Sequence, residues 1–247
     1  MNPFWVTAFL DLADDDFVRG VVFWAEVTGY GVSSPRGDSD EFATLVPRHG
    51  DDFLRVQKLA AGPSRIHLDL HVDDPQVAAE EAVALGARVV HRSRHGYVVV
   101  ASPAGFLFCF VEARASTRPG PAGWPGGRSL VDQVCLDIPP SAYESEIAFW
   151  QSETGWELRD ASDGGPFRAL VRPEGQPLRF LLQRLDDERP VSAHLDLAAD
   201  DRAAETERHL ALGARLVRVE DHWTVLSDPA GSAYCITDRS PETGLLS

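Results

Sequence analysis

The chain has 247 residues, 44% hydrophobic and 25% charged, with a formal net charge of −15. That is the make-up of an ordinary globular protein, long enough to bury a core without disulfides or structural metals. The charge opposes nucleic-acid backbones and anionic membranes, and no apolar run approaches the roughly 20 residues a membrane helix needs.

Met1-Asn2-Pro3-Phe4-Trp5 carries neither a basic nor an apolar signal region. Residues 6–12 read as the first strand, whose alternation places Thr7, Phe9 and Asp11 on one face. Phe17, Val21, Trp24 and Thr28 then form one helical stripe, stopped by Gly29. Strands are expected at 41–47 and 52–59, and another at 67–72. A helix over 75–85 has Pro75 in its first turn and Gly86 at its stop. Strands follow at 89–92, 97–101 and 106–112, with Ser102-Pro103-Ala104-Gly105 as a hairpin turn. Residues 116–127 are too rich in proline and glycine for a helix or a central strand and read as a linker. Beyond it, 131–137 is a strand that places Gln133, Cys135 and Asp137 on one face. Ser141 and Glu144 fit a capping box. Tyr143, Ile147, Trp150 and Thr154 repeat the stripe, with Gly155 as the stop. Strands are expected at 167–172 and 178–185, and a hairpin turn at Asp228-Pro229-Ala230-Gly231.

Much of this is said twice. His67-Leu68-Asp69-Leu70 recurs as His194-Leu195-Asp196-Leu197, and Leu85-Gly86-Ala87-Arg88 as Leu212-Gly213-Ala214-Arg215, both 127 residues on. Pro103-Ala104-Gly105 recurs at Pro229-Ala230-Gly231, and Trp24 and Gly29 at Trp150 and Gly155, 126 residues on. Matched blocks in the same order indicate a tandem duplication. The expected domains are 1–115 and 129–247, joined by the linker 116–128, each an α+β domain of two βαβββ units. Cys109, Cys135 and Cys235 form no C-x-x-C pair. That suits a reducing, cytoplasmic setting and speaks against a disulfide framework.

Paired βαβββ units with Trp…Thr-Gly, His-Leu-Asp-Leu, Leu-Gly-Ala and a closing Pro-Ala-Gly turn resemble the vicinal oxygen chelate superfamily, also called glyoxalase/bleomycin resistance/dioxygenase, in its glyoxalase-like subgroup. The resemblance covers nearly the whole chain, twice. It implies curled mixed sheets around a cleft with helices outside. It also implies four cleft-facing strand positions that often bind a divalent metal such as Zn, Fe, Mn or Ni. Carried onto this sequence, the first is Thr7 or Gln133, the second Gln57 or Gln183, the third His67 or His194, and the fourth Glu112 or Asp238. Glu112 and Asp238 are then the candidate catalytic carboxylates. In the strand at 67–72, His67, Asp69 and His71 share one face and the leucines the other.

Phe9, Phe108, Phe110 and Tyr234 are expected as aromatic walls that bind substrate, with Thr7 as a further substrate-binding residue rather than a metal ligand. Neither copy offers the two-His-one-carboxylate set of a non-haem iron oxygenase, so ring-cleaving dioxygenation is disfavoured. Two readings remain. One is a glyoxalase-like lyase or isomerase assisted by a metal. The other is a metal-free protein that sequesters a flat apolar or cationic molecule, as in bleomycin resistance. In a third arrangement, one copy is only a scaffold. His71, His91, His95, His209 and His222 lack matched partners and read as surface residues. The expected partner is a small molecule, not nucleic acid or membrane. The two domains are expected to pair with pseudo-twofold symmetry, in a monomer or a homodimer.

Overall fold

The computed structural model describes residues 2–160 and 164–246. Met1 and Ser247, the outer bounds of the expected domains, lie outside the described residues. The first copy runs β1 (Trp5–Ala13), α1 (Phe17–Thr28), β2 (Gly31–Val32), β3 (Phe42–Val46), β4 (Leu54–Leu59), β5 (Arg65–His71), α2 (Pro75–Ala84), β6 (Arg88–Arg92), β7 (Val98–Ala101) and β8 (Leu107–Val111). A short β9 (Ala122–Trp124) follows. The second copy runs β10 (Gly127–Ile138), α3 (Tyr143–Thr154), β11 (Leu158–Asp160), β12 (Phe167–Leu170), β13 (Arg179–Arg184), β14 (Ser192–Ala199), α4 (Arg202–Ala211), β15 (Arg215–Val219), β16 (Trp223–Ser227) and β17 (Ala233–Thr237). Each copy is therefore βαβββ twice over.

Each copy builds one open, curled mixed sheet. The orders are β2-β3-β4-β1-β5-β8-β7-β6 and β11-β12-β13-β10-β14-β17-β16-β15. The fold is α+β with its helices outside the sheets. The chain divides into two compact units, each drawing on both copies: Met1–Ala8 with His67–Ser116 and Val134–Ala193, and Phe9–Ile66 with Thr117–Gln133 and His194–Ser247. Among the described residues no helix is long and apolar enough to cross a membrane.

In the first unit, α3 lays Phe149 and Trp150 on Phe108 of β8, with ring centroids 5.9 and 5.1 Å away. Buried Trp150 donates from Nε1 to Glu146 at 2.8 Å, so its polar edge is satisfied inside the core. In the second unit, Trp24 of α1 packs edge-on against Tyr234 of β17, with ring centroids 5.3 Å apart, and donates to Asp228 at 3.0 Å. The aromatic stripes are thus core. On α1 the buried set is Gly20, Phe23, Trp24, Val27 and Thr28, a slightly rotated face that leaves Phe17 and Val21 half-buried.

Local chemistry explains the element ends. Gly29 and Gly155 close α1 and α3 in left-handed conformations, at φ of 70° and 65°, which side-chain-bearing residues resist. Asp74 caps α2 by accepting from the amides of Gln76 and Val77, and Asp201 caps α4 through Ala204. The repeated Asp-Asp after each His-Leu-Asp-Leu strand is therefore a helix start. The Ser141–Glu144 capping box does not form. A 3-10 turn at Pro140–Ala142 precedes α3, and the Ser141 amide and hydroxyl bind Glu188 instead, at 2.9 and 2.7 Å. Within the Pro/Gly-rich segment, β9 pairs with the start of β10 as a hairpin. There Trp124 lies under the Arg208 guanidinium at 3.8 Å.

Candidate functional site

The pairing of β5 with β8 decides what meets His67. The two strands are parallel, with Leu68 opposite Phe108, Asp69 opposite Cys109 and Leu70 opposite Phe110. Partners in a ladder share a face, so Phe108 and Phe110 join the leucines on the helix side. Asp69 and Cys109 stand with His67 on the inner side. The second copy repeats this, with Leu195 opposite Tyr234 and Asp196 opposite Cys235. In each copy a histidine nitrogen, a carboxylate oxygen and a cysteine sulfur lie within 4.8 Å of one another: His67, Asp69 and Cys109, and His194, Asp196 and Cys235. The imidazole Nε2 stands 3.7 Å from Asp69 Oδ1 in the first copy and 3.4 Å from Asp196 Oδ1 in the second.

Several expected site residues lie elsewhere. Phe108, Phe110 and Tyr234 are fully buried on the leucine side of their sheets, away from His67 and His194. Asp238 follows β17 in the phase of Tyr234 and Ile236. It meets Arg202 of α4 at 2.8 Å, so His194 and Asp238 leave opposite faces of the sheet. Glu112, one residue past β8, follows the phase of Phe108 and Phe110, away from His67. The alternation along these strands was legible; which phase faces inward is set by the parallel partner. Gln57 stands half-buried opposite Phe42 on β3, and Phe9 packs edge-on against Phe42 at 6.2 Å, with Arg55 5.9 Å from its ring. Gln183 Oε1 lies 3.7 Å from the Cys135 sulfur.

The first-position residues have different duties in the two copies. Thr7 bonds His71 Nε2 at 2.8 Å, and His71 Nδ1 meets the Ala113 carbonyl at 2.8 Å. A carbonyl only accepts, so Nδ1 carries the proton, and in the neutral ring Nε2 accepts from the Thr7 hydroxyl. His71 is 1% exposed and no surface residue. Gln133 donates to Asp196 Oδ2 at 2.5 Å, while Asp196 Oδ1 is buried and has no hydrogen-bond partner among the described residues. Burial raises the Asp196 carboxyl pKa, against opposing pulls from His194, Arg239 and Gln133. Burial likewise raises the Cys235 thiol, and the Asp196 charge adds to it.

His209 is the second misplaced histidine. It is wholly buried on α4, with Nδ1 2.9 Å from the Tyr234 hydroxyl and Nε2 3.1 Å from Glu205. Burial lowers its pKa, opposed by Glu205. For Glu205 itself burial is outweighed by bonds from Arg208 and His209, which hold it at about 2. His91, His95 and His222 are exposed.

Asp69, Asp196, Cys109 and Cys235 were not among the expected ligands, yet the sequence carries a signal for them. The 126-residue offset that relates Pro103 to Pro229 also relates Cys109 to Cys235.

Paired βαβββ modules that curl a mixed sheet behind a histidine-bearing strand define the vicinal oxygen chelate class of proteins. Within that class, the sequence model of the glyoxalase-like domain matches residues 7–111 and again 133–237. The chain belongs to this family, with two domains in tandem. No curated protein matches it. Among solved structures it is similar to a mutant of 4-hydroxymandelate synthase from Streptomyces coelicolor, at 15% identity and a TM-score of 0.61, covering 94% of this chain and 91% of that one. It is also similar to BphC, a halotolerant catechol dioxygenase, at 14% identity and 0.61, covering 94% and 85%. A third is a variant of homoprotocatechuate 2,3-dioxygenase from B. fuscum, at 16% and 0.63, covering 95% and 70%. At such identities the likeness speaks for the fold alone.

Proposed function

We propose that the chain is a small-molecule enzyme of the lyase or isomerase kind, assisted by a divalent cation at the His–Asp–Cys cluster of each copy. The observation that carries this reading is the convergence of imidazole, carboxylate and thiol within 4.8 Å in both copies. Sulfur and imidazole beside one carboxylate suit zinc, with iron, manganese and nickel as competitors, better than calcium or magnesium. Among the described residues, buried Asp196 Oδ1 accepts no hydrogen bond and has the His194 Nε2 beside it at 3.4 Å, so a cation or a proton would satisfy it. A cation held by His194, Asp196 and Cys235, or by His67, Asp69 and Cys109, supplies Lewis acidity toward a substrate oxygen. The chain's own residues do the rest. Gln133 fixes the Asp196 carboxyl through Oδ2. With Oδ2 taken by Gln133, Oδ1 is the oxygen left to face the cation, and burial keeps bulk water from it. Each cluster contains one imidazole, and the other histidine of β5, His71, has both nitrogens engaged. That argues against ring-cleaving oxygenation. The thiols fit a cytoplasmic, reducing setting.

Elemental analysis of the purified protein tests this, with about one divalent metal expected per intact cluster. Cys235→Ser should lower the content while Asp238→Ala leaves it unchanged. Protein that holds no metal after supplementation would favour the second reading, a metal-free small-molecule binder. Gln133 already occupying Asp196, and burial favouring the protonated forms of Asp196 and Cys235, support that alternative.

A further inference from the structure

Two more buried atoms, Asp132 Oδ2 and Arg239 Nε, stand near the second copy's cluster and have no hydrogen-bond partner among the described residues. Asp132 is fully buried and Arg239 is 8% exposed. They touch at one point, Arg239 Nη2 donating to Asp132 Oδ1 at 2.5 Å, rather than as a two-pronged fork. A guanidinium carries five donors, and among the described residues this one spends a single donor on a side chain. Arg239 extends the alternation of Cys235 and Thr237 past β17, which sets it on the Cys235 side. Its electrostatic neighbours are Asp132, Asp196 and Cys235. The first copy has Val6 and Ala113 at the matching positions, so the pair belongs to the second copy alone. A buried donor or acceptor left open loses its water without a replacement partner and is therefore destabilising. Here a donor and an acceptor are left open side by side.

We propose that Asp132 and Arg239 form the recognition end of the second copy's site and take a small organic carboxylate with a hydroxyl on the adjacent carbon. The carboxylate accepts from Arg239 Nε, and the hydroxyl donates to Asp132 Oδ2. Asp132 holds the guanidinium in place and cancels much of its charge, so an anion lacking the hydroxyl is held weakly. This rests on the inner face being a small-molecule site, and not on the metal.

Calorimetric titration with lactate, propionate and lactamide tests it, alongside proton–nitrogen NMR of the Arg239 Nε–H. Lactate should bind saturably and shift that resonance. Propionate and lactamide should each bind roughly tenfold or more weakly. The Asp132→Asn/Arg239→Met double variant should lose the lactate response. No shift and no saturable heat from lactate would overturn the proposal, since ordered water would then satisfy both atoms. Equal binding of all three probes, or unchanged lactate binding in the double variant, would also overturn it. The NMR measurement uses the unaltered protein, so it decides even if the variant does not fold. Repeating the titration after chelation separates the two readings. A lactate response in protein that never holds metal sinks the metal reading alone; bound metal without a lactate response sinks this one.

Discussion

The two copies keep the same inner cluster and surround it with different chemistry. Around His67, Asp69 and Cys109, Thr7 is tied to His71, and Val6 and Ala113 supply no charge. Around His194, Asp196 and Cys235, Gln133 turns to Asp196, and Asp132 and Arg239 add a buried ion pair. The helix side diverges as well. The buried Glu205–His209–Tyr234 chain of the second copy corresponds to Ala78, Ala82 and Phe108 in the first. Likewise, Glu153 of α3 corresponds to Val27 of α1. A shared backbone therefore preserves three donor atoms while the neighbouring positions, free of that geometry, have taken opposite polarities.

The largest expected effect comes from Glu153, the polar intruder at an otherwise apolar position. It is 1% exposed, neither carboxyl oxygen has a hydrogen-bond partner among the described residues, and burial first, then the Glu81 charge, push its pKa up from 4.5 to about 7. The unfolded chain releases this proton near 4.5 while the folded chain keeps it until about 7. The group's contribution to stability is thus greatest below the lower value, falls between the two, and stays low above them. Glu153→Gln should remove that slope. Denaturant unfolding at a series of pH values should find the variant more stable by up to about 3 kcal/mol above the upper value, and close to wild type below the lower one.

Next in size is Tyr234→Phe, which gives the second copy the side chain found at Phe108. It strands His209 Nδ1 in the core and should cost about 1–3 kcal/mol. Phe108→Tyr, where Ala82 stands in place of the histidine and Phe149 and Trp150 pack on the ring, should cost a similar amount by burying an unpaired hydroxyl. If either exchange proved neutral in urea melts, the copies would not differ on their helix sides as described. The smallest effect should be the most symmetric. Asp74→Ala and Asp201→Ala should each cost about 1 kcal/mol, and unequal losses would show that the two helix starts have diverged too.

The fold was almost wholly legible because its signals are local or repeated. The 126–127-residue offset, the two-residue alternation and the Thr-Gly and Pro-Ala-Gly stops each act within a few residues. The site was half legible. His67 and His194 stand on the face that alternation with the leucines assigns them. Which side of β8 and β17 joins them depends on a parallel register set by strands distant in sequence. Aromatics at Phe108, Phe110 and Tyr234 fit a pocket wall and a helix-side core equally well on pattern alone. His71 and His209 were misplaced for a related reason. An unmatched histidine has no periodic signature, and its burial depends on partners 64 and 25 residues away, Thr7 and Tyr234. Ser141 found a partner 47 residues on instead of the local Glu144.

The central claim is that imidazole, carboxylate and sulfur meet on the inner face through Cys109 and Cys235, with Glu112 and Asp238 turned elsewhere. Cobalt(II) titration followed by absorption spectroscopy tests it most directly, because sulfur ligation gives an intense ligand-to-metal charge-transfer band that oxygen and nitrogen ligands do not. The account predicts such a band in the wild type and in Glu112→Ala/Asp238→Ala protein, halved in Cys235→Ser and absent when Cys109 is also replaced. A spectrum without the sulfur band, or one abolished by the Glu112→Ala/Asp238→Ala change, would contradict it.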